Sequence, residues 1–426
     1  MNLKKKINFF TPIIHETDKK ILSKTVRAGW ISSQGKIVKD FESKFAKWHK
    51  MKYAISTSNC TTALHLSLLG LGIGPGDEVI CSNLTFIAPA NMISLTGAKL
   101  VLVDVNLKTF AMNTDEVEKK ITKRTKAIMV IHPFGHPANI SKLKAIAKKK
   151  QLKIIEDNAE SIGAKHKNKL CGTFGDISCF SFFANKIMTT GEGGMILTND
   201  KNIFDKIKLL RDHGMSENKK YFHKFLAFNY RMTSMQAAIG LGQLKRLKQI
   251  INEKKNIKKN YISFLKRDDI FIFPQVKYKK CVEWFVTITF KRLNLRDKFI
   301  KYMASNKIEC RPMIFPVSFA DHFKVDAIVK YGADYNKVFG EKDYATRMLL
   351  QKTGTEQGRN YFGQDVWIRA VETWIKIHHE RGIERFIISD CRFKNEVDWI
   401  KNMHGIIIKI IAPKRREERL LIETNG

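Results

Sequence analysis

Residues 177–194 read I-S-C-F-S-F-F-A-N-K-I-M-T-T-G-E-G-G, an apolar strand pattern that runs into a glycine turn. Lys186 is the only cation in that run. A lysine held away from water loses part of its preference for the ammonium form. As a neutral amine it can attack a carbonyl carbon and form a Schiff base. Taken alone, Lys186 also fits a snorkelling cation on an edge strand. Two other stretches could share its chemistry. Thr57-Ser58-Asn59-Cys60-Thr61-Thr62 is a polar turn opening a helix, where free N–H groups suit a phosphate; ordinary Ser/Thr capping explains the same residues. Glu156-Asp157-Asn158-Ala159-Glu160 follows an apolar strand; a carboxylate there can hold a proton on a heteroaromatic nitrogen, or cap a helix. Phe86 can cover a ring face or pack into the core. Gly191-Glu192-Gly193-Gly194 lets backbone approach closely.

The elements that must position these residues follow from hydrophobic spacing. Residues 16–28 read as a helix, and Val38, Phe41, Phe45 and Trp48 mark a second, amphipathic one. Short apolar strands are expected at Tyr53–Ser56, Glu78–Cys81, Leu100–Asp104, Ala127–Ile131, Lys153–Asp157 and Cys179–Phe183. Helical patterns over Thr61–Leu71, Phe86–Leu95 and 141–150 alternate with them. Such alternation means an α/β fold with a mostly parallel sheet covered on both faces. Ligands then bind beyond the carboxyl ends of the strands, where Lys186, Asp157 and Thr61-Thr62 are expected. Residues from Asn229 to about Lys266 are helix-rich, and Ile270–Phe273 and Val286–Phe290 read as strands of a smaller domain. A desolvated lysine, a phosphate-binding helix start and a strand-end acid are together what pyridoxal 5'-phosphate (PLP) requires.

Composition narrows the class. At 426 residues the chain is long enough for two or three domains, and 44% hydrophobic with 10% aromatic residues can build cores. The formal charge of +35 comes from 76 Lys+Arg against 41 Asp+Glu. The lysines are scattered among Asn and Ile with no Arg-rich arm, a bias that AT-rich coding DNA also produces. A dedicated nucleic-acid binder is disfavoured, although the charge can attract an anionic substrate such as a nucleotide. Seven cysteines without a C-x-x-C pair point to free thiols in a reducing, cytoplasmic setting with no metal site. No signal-peptide core and no membrane-length apolar run is evident.

Several stretches together resemble the DegT/DnrJ/EryC1/StrS nucleotide-sugar aminotransferases, which are fold-type I PLP enzymes. They are Ala28–Gly35, Ser58–His65, Gly74–Val79, Glu156–Glu160, Phe180–Lys186 with Gly191–Gly194, Arg211–Gly214, Phe228–Thr233, and Arg311-Pro312 with Phe315-Pro316. They span residues 8–323 in order. The resemblance implies that Lys186 bonds the cofactor and shuttles the proton, and that Asp157 faces the pyridine nitrogen. Phe86 would cover the ring, and Thr61, Thr62 and Ser181 would hold the phosphate. Glu160 would lie near the ring hydroxyl, at a position where the family varies. Asn229 would reach the phosphate of the neighbouring subunit's cofactor, making a homodimer with a shared site. L-Glutamate would donate the amino group to a nucleotide-linked keto-sugar for cell-surface polysaccharide or glycan synthesis. Within the family, Phe182–Lys186 with Thr189-Thr190, and Tyr221-Phe222-His223 before Asn229, are most similar to enzymes that aminate GDP-4-keto-6-deoxymannose.

The resemblance divides the chain into a PLP-binding large domain at 1–250, a partial small domain at 251–323, a linker at 324–337 and a fragment at 338–426. Residues 338–412 resemble the C-terminal half of phage-type deoxynucleoside monophosphate kinases, through Leu350–Arg359, Gly363–Trp367 and Phe386–Glu396. Arg359, Asp390 and Arg392 would be its nucleotide-site residues. Such a kinase needs a phosphate loop G-x-x-x-x-G-K-[ST], and no such stretch occurs. The alternatives to an aminotransferase are a degenerate fusion that binds PLP without turnover and a kinase-related protein lacking that loop.

Overall fold

Alternation of side chains along the strands decides the architecture. In a computed structural model the described residues are 5–216, 218–265, 270–272, 279–291, 293–320, 405–410 and 419–424. Arg359, Asp390 and Arg392 lie outside them, and of the kinase-like stretch only 405–410 is described. The chain divides into two compact units, Met1–Phe315 and Pro316–Gly426. The division expected at residue 250 falls inside a helix, Ser234–Phe264.

Seven strands of the first unit form its central sheet: β1 (Tyr53–Thr57), β2 (Glu78–Ser82), β3 (Lys99–Val103), β4 (Thr125–Ile131) and β5 (Lys153–Asp157) come first. A small hairpin of β6 (Lys165–His166) and β7 (Lys169–Leu170) intervenes before β8 (Ile177–Ser181) and β9 (Gly194–Thr198). Their order is β1-β9-β8-β5-β4-β2-β3. All run parallel except β9, which is antiparallel to both β8 and β1. The strand expected at Cys179–Phe183 therefore lies inside the sheet, and Lys186 is in the turn beyond it, which excludes an edge-strand cation.

In β4, Ala127, Met129 and Ile131 face one side while Ile128 and Val130 face the other. The first side is covered by α3 (Cys60–Gly70), α4 (Ala88–Leu95) and α7 (Lys201–Arg211). The other is shared by α2 (Lys36–His49) with α8 (Ser234–Phe264), and by α5 (Thr114–Lys119) with α6 (Ile140–Lys150). The helical spacing of Phe41 and Phe45 buries both rings against the sheet, Phe45 lying 5.1 Å from Phe180 and Phe41 5.4 Å from Phe182. An α1 helix (Glu16–Arg27) packs on α8, where Arg246 and Gln243 meet the buried Asp18 carboxylate.

After α8 the chain forms β10 (Ile270–Ile272), which pairs with β12 (Ile288–Phe290), and β11 (Lys279–Lys280), which pairs with β6; α9 (Leu293–Ser305) follows. Between β11 and β12, Glu283 is buried in an ion pair with Lys258, beside His136 and Cys281. The second unit holds a short turn at Val317–Phe319 and an antiparallel hairpin of β13 (Gly405–Ile410) and β14 (Arg419–Thr424). Among the described residues no helix is long and apolar enough to cross a membrane.

One buried charge ties the sheet to its loops. Glu156 accepts from His132 Nε2 at 3.0 Å, the amides of Gly172, Phe174 and Gly175 at 2.9, 2.6 and 2.6 Å, and Ser178 Oγ at 3.2 Å. Burial works to raise this carboxyl, but His132 and the amides outweigh it and hold it below the ordinary value of 4.5. Glu156→Ala leaves those donors buried and unpaired, so we expect it to lower unfolding free energy by about 3–5 kcal/mol in a denaturant titration. The loss should be full above pH 4.5 and fade as acid protonates the wild-type group.

Candidate active site

Phe182 anchors the turn that carries Lys186. Its ring is buried, and its N–H donates to the Gly193 carbonyl at 2.8 Å. Its own carbonyl accepts from the Thr190 N–H at 2.9 Å and the Thr189 hydroxyl at 3.0 Å. Inside this clamp the Lys186 N–H donates to the Phe183 carbonyl at 2.9 Å. The next glycine is required by proximity: a Cβ on Gly194 would lie 2.4 Å from the Asn59 carbonyl oxygen and 2.5 Å from Thr57 Oγ1. That approach sets the start of α3 against the lysine turn.

The Lys186 side chain is 12% exposed. Its Nζ lies 3.7 Å from Glu160 Oε1 and 3.6 Å from the centroid of the Trp284 ring. The other Glu160 oxygen accepts from the Phe134 N–H at 2.7 Å. Burial pushes the Glu160 carboxyl up, against the pull of the Lys186 charge and that amide. Phe134 itself is held at φ +54°, a region that non-glycine residues seldom occupy.

Asp157 sits at the end of β5, next to Glu156 and therefore on the opposite face. Ile155, two residues earlier, belongs to the layer under α3, so Asp157 shares the face that carries the helix start. Its Oδ1 accepts from the Ala159 N–H at 2.9 Å, and among the described residues it is in no ion pair. Burial raises its carboxyl above the ordinary value of 3.8, despite the Ala159 amide and the charge of Lys186. A buried carboxylate lacking a close cation fits a protonated ring nitrogen, which would supply the missing charge.

At the helix start Asn59 caps α3, accepting from the Thr62 N–H at 2.9 Å, while the Thr62 hydroxyl donates back to the Asn59 carbonyl at 2.8 Å. Thr62 thus serves the cap. Thr61, next to it, is half-buried and its hydroxyl makes no hydrogen bond among the described residues. Ser181, at the end of β8, accepts from the Phe183 N–H at 3.3 Å. These hydroxyls and the first-turn amides of α3 fit a phosphate. Phe86 is 62% exposed, which excludes core packing and fits a ring cover. Asn229 is exposed, with its side-chain oxygen accepting from Arg231 Nε at 2.9 Å. Lys186, Glu160, Asp157 and the start of α3 form one cluster; Phe86 and Asn229 stand at the surface. Trp284 was not foreseen from the sequence, because no local pattern around Cys281-Val282-Glu283-Trp284 points to a lysine so far upstream.

Comparison with known proteins agrees with this geometry. Residues 12–333 match the model of the DegT/DnrJ/EryC1/StrS aminotransferase family. The chain is 41% identical over 317 residues to a GDP-perosamine synthase of Escherichia coli O157:H7, covering 74% of this chain and 86% of that one. It is 40% identical over 316 residues to a GDP-perosamine synthase of Caulobacter vibrioides, covering 73% and 85%. Among solved structures, a DegT DnrJ EryC1 StrS aminotransferase from Brucella abortus superposes with a TM-score of 0.69 at 29% identity, covering 73% of this chain and 84% of that one.

The raised Asp157 carboxyl carries a stability consequence with a definite sign. A group whose folded value lies above its unfolded one favours folding when protonated and opposes it once ionised. Asp157→Asn should therefore raise the Tm of the PLP-free protein at pH 7. The gain should shrink as pH falls toward 3.8, in a series of thermal melts.

Proposed function

Because this chain belongs to the DegT/DnrJ/EryC1/StrS aminotransferase family, we propose that it transfers the amino group of L-glutamate to the ketone of GDP-4-keto-6-deoxymannose, giving GDP-perosamine. The observation that carries this reading is the nearly buried Lys186 amine between Glu160 and Trp284, with the Asp157 carboxylate at the end of β5. PLP, the cofactor of this family, supplies when bound an electron sink that eases breaking of the C–H bond beside the amine nitrogen.

The residues divide the remaining work. Lys186 Nζ would hold the cofactor aldehyde and, as a free amine, would take and return the proton at the reacting carbons of donor and sugar. Asp157 keeps the ring nitrogen protonated, which also answers its own burial. Thr61, Ser181 and the start of α3 would hold the phosphate, and Phe86 would cover the ring. Glu160 would orient the amine and lie near the ring hydroxyl. Overall, glutamate leaves as 2-oxoglutarate and the sugar's carbonyl oxygen leaves as its nitrogen arrives.

Asn229 completes the site from a second copy of the chain. Its exposure fits a residue that works across a subunit boundary. The homodimer would then have two sites, each built from both chains.

Complementation tests both the lysine and the dimer. Lys186→Ala and Asn229→Ala should each lose amino transfer, the former by about a thousandfold or more. Mixing and refolding the two variants should restore roughly a quarter of wild-type activity, because a mixed dimer contains one intact site. The readout is nitrogen from labelled glutamate in the amino sugar, over a panel of 3-keto and 4-keto nucleotide sugars. Transfer that survives in Lys186→Ala overturns the assignment of the lysine, and no recovery on mixing overturns the shared site.

A further inference from the structure

Lys186 already faces a carboxylate, yet the chain delivers an aromatic face to the same amine. The Trp284 ring centroid is 3.6 Å from Nζ, well inside cation–π range. The indole is held in place from several directions. Its Nε1–H donates at 2.7 Å to the carbonyl of Asn185, the residue before the lysine. Its backbone N–H donates to the Phe134 carbonyl at 3.3 Å, and its carbonyl accepts from Lys254 Nζ at 3.0 Å. Glu283, one residue earlier, is buried in its pair with Lys258. Gly135 permits the approach: a Cβ there would fall 1.7 Å from the Val282 carbonyl oxygen.

These contacts close a circuit. Lys186 meets Glu160, Glu160 meets the Phe134 N–H, the Phe134 carbonyl meets Trp284, and Trp284 returns to Lys186. The residue in the middle, Phe134, adopts the costly positive φ at which its N–H and its carbonyl serve the two neighbours. A free lysine side chain would otherwise sample many rotamers. Here both of its walls are fixed by the same strained turn.

We propose that Trp284 is a positioning residue that gives the Lys186 ammonium a fixed resting place beside Glu160 whenever the amine is not bonded to the cofactor. This rests on reading Lys186 as the cofactor lysine. The ring face attracts only the charged amine, so it parks the ammonium and releases it when the proton leaves.

The test labels the full-length protein, freed of PLP, with trinitrobenzenesulfonate, which reacts with neutral amines; modification of Lys186 is followed by peptide mass spectrometry against the exposed lysines. Trp284→Leu should speed labelling of Lys186 about fivefold at pH 8, while Trp284→Phe, which keeps a ring face, should stay within about twofold of wild type. The gain should shrink as pH rises well above the ordinary lysine value of about 10.4, where the amine is neutral in every variant. Trp284→Met gives the same comparison should the leucine variant not fold. A gain that persists undiminished at high pH marks mere uncovering and overturns the proposal, as does a wild-type rate in Trp284→Leu. PLP uptake by the wild type, read from its visible absorption, tests the underlying reading separately. No uptake overturns that reading and the proposal with it; uptake with unchanged labelling overturns the proposal alone.

Discussion

A carboxylate beyond the reach of water must be solvated by the protein itself, and around Glu156 the protein does this with donors from three separate places. His132 lies just after β4, Gly172, Phe174 and Gly175 lie in the loop before β8, and Ser178 lies in β8 itself. Satisfying one charge therefore fixes β5 against both of its parallel neighbours. The arrangement also assigns the histidine tautomer: Nδ1 accepts from the Ala138 N–H, so Nε2 is the nitrogen that carries the proton toward Glu156. With β5 fixed, the pleat leaves Asp157 no choice but the other face, where the start of α3 lies. The fully paired acid thus aims the poorly paired one, and the difference between the two carboxylates is the difference between scaffold and site.

The lysine turn depends on a second layer of constraint from late in the chain. The segment at 281–284 reaches the turn at 133–135 through two backbone hydrogen bonds, supplies one neighbour of the Lys186 amine in Trp284, and bonds Phe134, whose N–H holds the other, Glu160. Through this contact the part of the chain after α8 completes the surroundings of the amine.

Much of this was legible in the sequence because it rests on local periodicity. The apolar runs at 127–131 and 153–157 are strands in the positions expected, and Phe41 and Phe45 bury as their spacing requires. Lys186 stood out as a lone cation in an apolar run, and Asp157 as an acid closing a strand. What periodicity cannot show is which face is which. Glu156 and Asp157 look alike in sequence, and only the layers on each side of the sheet separate them. Thr61 and Thr62 look interchangeable until the cap claims one hydroxyl. The exposure of Phe86 and the arrival of Trp284 depend on tertiary contacts that no local spacing encodes. The kinase-like residues Arg359, Asp390 and Arg392 lie outside the described residues.

The antiparallel strand in an otherwise parallel sheet has a temporal meaning as well. Within the sheet β1 is an outermost strand whose neighbour is β9, and Tyr53 pairs with Thr198. During synthesis β1 and α3 must wait, without that partner, for most of the sheet to emerge and order. When β9 does dock, Gly194 slides against Asn59 at the start of α3, and Phe182 is clamped by Gly193. The start of α3 and the lysine turn are consequently joined by one late event, so a nascent chain can build much of its core well before it brings the two together.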